Sequence, residues 1–405
     1  MIMIMPKTKK STPKKVITKI PEIISKQTVL VLQLIGISVF EVYYDKSGKL
    51  AKRVSYLGIF GSLFWLGSFG FSAIHACVND HTILRAYYDT KLKNYGDAYE
   101  RITSLLYSET VILKVALQVS SCLPFTQYIV DIDKTLASRG VKVDYQHKKT
   151  FFITTLQLIP VVLRALTICA TLWAIDAVIP IDRIFQLTLT DGVSLMATTF
   201  YCHYLYLLMD RYKHINEILS GVKEEVTSKV RIDAATIILE NDNFNLENAR
   251  RTEDNCERIR LSSKVHSMLF KATATVNEVF GMILLVTSLL PLSYIILNMF
   301  YFMEATSAGL AHDVKRYVNF LLYIAWAVLY NVLVIFMNVY FSESTVSEAR
   351  QLSLQLLHQT PAFTAWGLIT LDYALILEVP PLTSITLLRF NCHCGLLVEA
   401  LLHNS

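Results

Sequence analysis

Charge is scarce in this chain. Asp, Glu, Lys and Arg make up 18% of its 405 residues, against about 25% in ordinary soluble domains. The seven cysteines are scattered, and no spacing among them suggests a disulfide framework. Cys122, Cys169 and Cys202 fall inside apolar stretches and read as small core residues. Cys392-His-Cys394 with His403 lacks a matching second pair, so no metal centre is expected. No Gly-rich phosphate loop, zinc-protease motif or nucleophile elbow is present. Asp191 and Asp372, two aspartates within apolar runs, should lie at opposite depths, which argues against an intramembrane aspartyl protease. The expectation is therefore no enzyme and no cofactor. Internal repeats and low-complexity linkers are also missing, which points to one domain. No signal peptide is expected: Met1–Met5 is too short, and the cluster Lys7, Lys9, Lys10, Lys14 and Lys15 follows it rather than preceding it. That cluster suits a solvated tail or contact with anionic lipid. The predicted outer loops hold no Asn-x-Ser/Thr sequon followed by a further residue.

What the chain does have is long apolar runs: Tyr56–Val78, Leu105–Val130, Phe151–Ala177, Ile184–Met209, Ala272–Phe302, Tyr317–Phe341 and Phe363–Leu388. Each can cross a hydrocarbon core about 30 Å thick as a helix, which takes roughly 20 residues. The fold class is all-α, a polytopic membrane protein with seven transmembrane helices. Receptor, channel, transporter and intramembrane enzyme are the classes open to it.

The basic residues give the orientation. One side of such a topology holds the N-terminal arm, Val130–Thr150, Asp210–Lys271 and Ser342–Ala362, with 28 Lys and Arg. The other side has 7: Arg85, Lys91, Lys93, Arg101, Arg183, Lys315 and Arg316. The positive-inside rule puts the N-terminus in the cytosol, and seven crossings put the C-terminus outside. Residues 1–54 then form a cytosolic basic arm, with Val29–Tyr44 read as an interfacial helix or, failing that, a re-entrant segment. Acids and bases alternate through 210–271, as in helices that continue into the cytosol, with an Asn-rich loop expected at Glu240–Asn248.

Three segments, in order, resemble the insect gustatory receptor family, chemoreceptor ion channels related to odorant receptors. Asp210-Arg-Tyr-Lys-His-Ile-Asn-Glu-Ile-Leu219 is similar to the family's Arg-aromatic…Asn…Leu segment. His266-Ser-Met-Leu269 and Val276-Asn-Glu-Val-Phe-Gly281 resemble its His…Leu…Val-Asn…Phe-Gly pattern. Phe363-Thr-Ala-Trp-Gly-Leu-Ile-Thr-Leu-Asp372 is similar to its aromatic-Gly-x-x-x-Leu-Asp lead-in. The likeness covers most of Ser55–Leu377 and makes 55–377 the seven-transmembrane chemoreceptor domain. The ending departs from the family. Where Thr-Tyr, five apolar residues and Gln-Phe are usual, the chain has Leu377-Glu-Val-Pro-Pro-Leu-Thr-Ser-Ile-Thr-Leu-Leu-Arg-Phe390. Thr383, Leu387, Arg389 and Phe390 imitate the pore motif only faintly, and Pro380-Pro381 breaks a helix there. Residues 378–405 read as an atypical tail in place of the usual pore-helix ending.

The resemblance implies a plasma-membrane, ligand-gated, non-selective cation channel subunit that detects a small tastant. It also implies a homo- or hetero-tetramer with other gustatory receptor subunits, in which the seventh helices surround one pore. Each subunit would hold a pocket opening outward among helices one to six. Lipid is the other expected partner, and nucleic acid is not one. The alternatives are a non-conducting accessory or splice-variant subunit, and a seven-helix transporter. A transporter should show two related halves with interrupted helices, and no such halves are seen.

Independently of any resemblance, Lys114, Arg164 and Asp191 lie inside runs. Charges at such depth face protein or a water-filled cavity. Asp191 could pair with Lys114, about one helical turn away in depth, or with Arg164. Such a pair could simply fix helix packing, or it could form a polar wall of a pocket. Aromatic and amide residues in the outer halves complete the candidate ligand set with Asp191: Tyr107, Trp173, Gln186, Tyr294, Asn298, Tyr323, Trp326 and Tyr330. A ring stacks on an apolar face, and an amide offers both donor and acceptor. The competing roles are an interfacial aromatic belt and plain core packing.

Overall fold

The computed structural model describes residues 30, 33–34, 36, 39–45, 50–79, 82–118, 123–138, 140–141, 158–235, 242–356, 363–365 and 369–371. Among them lie seven α-helices: α1 Tyr56–Val78, α2 Lys91–Gln118, α3 Leu123–Ala137, α4 Ile159–Ala174, α5 Ile181–Ala235, α6 Asp242–Ser307 and α7 Val314–Leu356. Two short antiparallel hairpins flank them, β1 Phe40–Tyr44 with β2 Leu50–Val54, and β3 Thr364–Ala365 with β4 Ile369–Thr370.

These seven helices are not the seven expected crossings. The run Leu105–Val130 falls on two helices, α2 and α3, and α2 starts well before it, at Lys91. The run Phe363–Leu388 does not begin as a helix. Thr364 pairs with Thr370 and Ala365 with Ile369, and Leu371 N donates to Phe363 O at 3.1 Å. Thr364, Ile369 and Thr370 are β-branched, which suits extended backbone. The hairpin is core, with Phe363, Ala365 and Leu371 buried in the main apolar cluster. Thr383, Leu387, Arg389 and Phe390 lie outside the described residues.

Among the described residues three helices are long and apolar enough to cross a membrane: α1, the Arg250–Ser307 part of α6, and the Val314–Leu354 part of α7. At about 1.5 Å per residue, the 55 residues of α5 and 66 of α6 far exceed one hydrocarbon thickness. Both run past the apolar part at the same end, where 210–235 of α5 faces 242–271 of α6. The helix of α6 already begins at Asp242, inside the stretch expected to be a loop. Leu219, Val265 and Leu269 keep this extension packed in the main cluster.

The expected interfacial helix at Val29–Tyr44 is also corrected. Its second part is β1, in register with β2 so that Glu41 opposes Arg53, and Arg53 Nη2 donates to Glu41 Oε2 at 2.6 Å. That hydrogen bond, chiefly, holds the Glu41 carboxyl below its ordinary range. Gly36 turns the chain at φ +79° and lies against Gly61 and Ser62 of α1, where an added Cβ would sit 2.6 Å from Ser62 N. Only a residue without a Cβ tolerates both the left-handed backbone and that approach. Ser62 Oγ donates to Gly36 O, and Trp65 Nε1 donates to Leu34 O at 3.0 Å.

Candidate functional site

A layer of polar side chains crosses the interior of the bundle. It starts on α2 and α5. Arg183 Nη2 lies 2.9 Å from Glu100 Oε2, with the two side chains 3% and 11% exposed. Arg183 Nη1 also donates to Gln186 Oε1 at 2.6 Å. The Gln186 amide reaches back to α2, to Ser104 Oγ and Arg101 O, each at 3.4 Å. One turn deeper, Ser108 Oγ donates to Thr190 Oγ1 at 3.2 Å. Next along α5 is Asp191, whose Oδ1 takes Arg164 Nη1 of α4 at 2.7 Å. From α7, Tyr330 Oη donates to the Asp191 carbonyl at 2.6 Å, and its ring lies 5.3 Å from the Arg164 guanidinium carbon.

The choice of partner for Asp191 is thereby decided. Arg164 sits in the inward stripe of α4, with Val161, Ile168, Thr171 and Leu172. Lys114 does not join the network: its side chain is exposed. The residues Val111 and Ile112 of α2 face inward. At about 100° per residue Lys114 is far round the helix from Ile112 but close to Val111, so its exposure, rather than its helical position alone, separates it from the network.

The other candidates divide. Tyr107, Gln186, Tyr294, Tyr323 and Tyr330 are buried with Asp191 in this region. Tyr294 Oη lies 3.2 Å from Thr103 Oγ1 and 3.5 Å from the Glu100 carbonyl. Asn298 is buried but spends its amide on its own helix, donating to Tyr294 O at 2.7 Å. Trp326 is half-buried, and its Nε1 has no partner among the described residues. Trp173 is 77% exposed at the end of α4, which suits an interfacial ring and removes it from the layer.

Several residues of the layer escaped the sequence reading. Arg183 counts among the basic residues outside the runs, and Glu100 precedes the run Leu105–Val130 and carries no reading of its own. The structure puts both inside helices and pairs them. At the same end, Tyr88 Oη donates to Glu304 Oε2 at 3.4 Å, and Thr90 Oγ1 donates to Glu304 Oε1. Burial first, and then the Glu304 carboxylate, push the Tyr88 phenol up, which keeps it a proton donor. The residues Tyr87, Tyr88 and Tyr323 surround Phe320, with ring centroids 5.6 Å from Tyr87 and 5.8 Å from Tyr88.

At the other end the motif residues act as joints. Arg211 is 1% exposed and grips Asp133 of α3 with two hydrogen bonds, at 3.1 and 3.0 Å. Asn216 Nδ2 donates to Glu348 O and Oε2 of α7, each at 3.0 Å. His266 Nε2 lies 3.2 Å from Ser353 Oγ. Phe280 packs on Tyr204 at 5.2 Å. The described residues contain no group of three or more side chains fit to hold a metal.

The comparisons with known proteins agree with this architecture. The family model described as 7tm Chemosensory receptor matches residues 28–356. Among curated proteins, gustatory receptor 28a of Drosophila melanogaster is 21% identical over 393 residues, an alignment covering 86% of each chain.

Proposed function

Because the chain belongs to the 7tm chemosensory receptor family, we propose that it is a gustatory-type, ligand-gated, non-selective cation channel subunit. It works in the plasma membrane and detects a small tastant. The observation that carries this reading is the buried polar layer from Glu100 to Tyr330, on helices whose outer faces are apolar. Buried charges of this kind mark binding or ion paths in membrane bundles. A ligand that docks among these groups shifts the gate only by its differential affinity for the open state. As in the sequence reading, the N-terminus is cytosolic, and four copies share one pore.

One feature of the sequence favours a second reading, a non-conducting accessory subunit. Pro380-Pro381 interrupts the last apolar run, and Arg389 stands where the family has an uncharged Gln. Four Arg around one axis repel cations. Expressed alone, the chain is then expected to pass little ligand-evoked cation current. Grafting a Thr-Tyr…Gln-Phe ending after Leu377 is expected to restore it. Whole-cell recording of both forms against a tastant panel decides between the readings. A robust current from the unmodified chain removes the accessory reading, and silence from both forms at normal surface level removes the channel reading.

Orientation has its own test. An N-terminal tag is expected to take antibody only after the cells are permeabilised. Labelling of intact cells would overturn the topology.

A further inference from the structure

We propose that the end of the bundle formed around Glu304 is a recognition site for an organic ammonium ion. This rests on the chemosensory reading above and names its ligand class. The Glu304 carboxylate is partly open to solvent. Its partners among the described residues are two neutral hydroxyls, Tyr88 Oη and Thr90 Oγ1, and no basic side chain. That sets it apart from the buried acids Glu100, Asp133 and Asp191, each of which faces an arginine.

Three further features favour a positive guest. First, Glu304 lies in the last turn of α6, which ends at Ser307. The carbonyl end of a helix attracts cations. Second, the carboxylate meets the edge of an aromatic cluster through the Tyr88 hydroxyl. Tyr88 and Phe320 meet edge to face, with Tyr323 and Tyr301 in the same cluster. Such faces hold quaternary and protonated amines through the ring quadrupole. Third, Tyr301, one turn before Glu304 on the same helix face, is 2% exposed, and its hydroxyl has no hydrogen-bond partner among the described residues. That hydroxyl is pressed against Gly96, where an added Cβ would lie 2.5 Å away. Tyr301 is within electrostatic reach of Asp97, Glu100, Tyr88 and Tyr323. A buried unpartnered hydroxyl is costly, and here it offers an acceptor to a hydroxyl carried beside the ammonium group, as in choline. A carboxylate with no basic partner among the described residues, a helix carbonyl end, an adjoining aromatic cluster and a spare acceptor all select a cation over an anion or a neutral sugar.

The test is a binding measurement on the full-length chain in lipid nanodiscs. The probes are tetramethylammonium, choline and benzyltrimethylammonium. The control is 3,3-dimethylbutan-1-ol, the neutral isostere of choline. The expected result is a saturable rise in Tm with at least one ammonium and none with the isostere. Glu304→Gln keeps one acceptor oxygen for one of the two hydroxyls and can donate its amide N–H to the other, so its unliganded Tm should change little. Its apparent affinity for the ammonium should fall about tenfold or more, because the countercharge is gone. No stabilisation by any of the three cations, equal stabilisation by the isostere, or unchanged affinity in Glu304→Gln overturns the proposal. If the variant does not fold, the cation-against-isostere comparison in the native chain still decides. Binding without current would count against the channel reading alone. Currents evoked by neutral tastants with no ammonium binding would count against this site alone.

Discussion

Asp191→Ala is expected to remove most of the mature protein from the cell surface. The Asp191 and Arg164 side chains are only 11% and 6% exposed, and 2.7 Å separates their charged atoms. Removing one member strands the other charge in the bundle, which costs about 3–5 kcal/mol. That is a large share of a total stability of about 5–15 kcal/mol. Tyr330 adds to the penalty, since its ring faces the guanidinium and its hydroxyl caps the Asp191 carbonyl. The double variant Asp191→Ala with Arg164→Met is expected to recover part of the loss, because an apolar pair of similar volume leaves no buried charge. Adding Lys114→Ala to Asp191→Ala should recover nothing, because the Lys114 side chain is exposed. Surface biotinylation and thermal unfolding of these three variants, and of Arg164→Met alone, measure both outcomes. Purely additive losses in the Arg164 double variant would show that the pair is not energetically coupled.

How far the sequence could settle this pair shows what was legible in it. Run length revealed that the chain is a helical membrane protein, because apolar length is a one-dimensional property. Depth followed from counting residues. Azimuth did not, and periodicity did not separate the two bases. Arg164 falls three residues after Val161 and four before Ile168, on the inward stripe. Lys114 falls seven residues after Tyr107 and three after Val111, a spacing that does not take it off the inward face, yet its side chain is exposed. Glu100 and Arg183 were hidden for a different reason. They satisfy each other across two helices, so each looks like a loop charge when read alone. The hairpin β1–β2 was misread because Val29–Tyr44 was judged on apolar content. Phe-Glu-Val-Tyr-Tyr and Leu-Ala-Lys-Arg-Val on either side of Asp45-Lys-Ser-Gly48 carry a strand–turn–strand pattern. Phe363–Leu371 was absorbed into a run by hydropathy, although its β-branched residues favour strands.

The second large effect is expected at the opposite end of the bundle. Arg211→Lys should lower stability nearly as much as Arg211→Ala, by about 3–5 kcal/mol. The reason is geometric. Arg211 uses three nitrogens at once, Nε and Nη2 on the two oxygens of Asp133 and Nη1 on Asp210 Oδ2 at 3.2 Å. A guanidinium presents these donors in a fixed plane, and an ammonium cannot span both carboxylate oxygens in that way. The side chain is 1% exposed, so no water takes over the unmet contacts. The partners belong to different helices, since Asp133 is on α3 while Arg211 follows the apolar part of α5. Losing the clamp frees α3 from α5 without touching the layer around Asp191. Thermal unfolding and protease sensitivity of α3 are therefore expected to change first in Arg211→Lys. Asp133→Ala should have the same effect, and Asp133→Ala with Arg211→Met should be milder than either single loss. A lysine variant as stable as the native chain would show that charge alone, rather than the two-oxygen grip, holds these helices together.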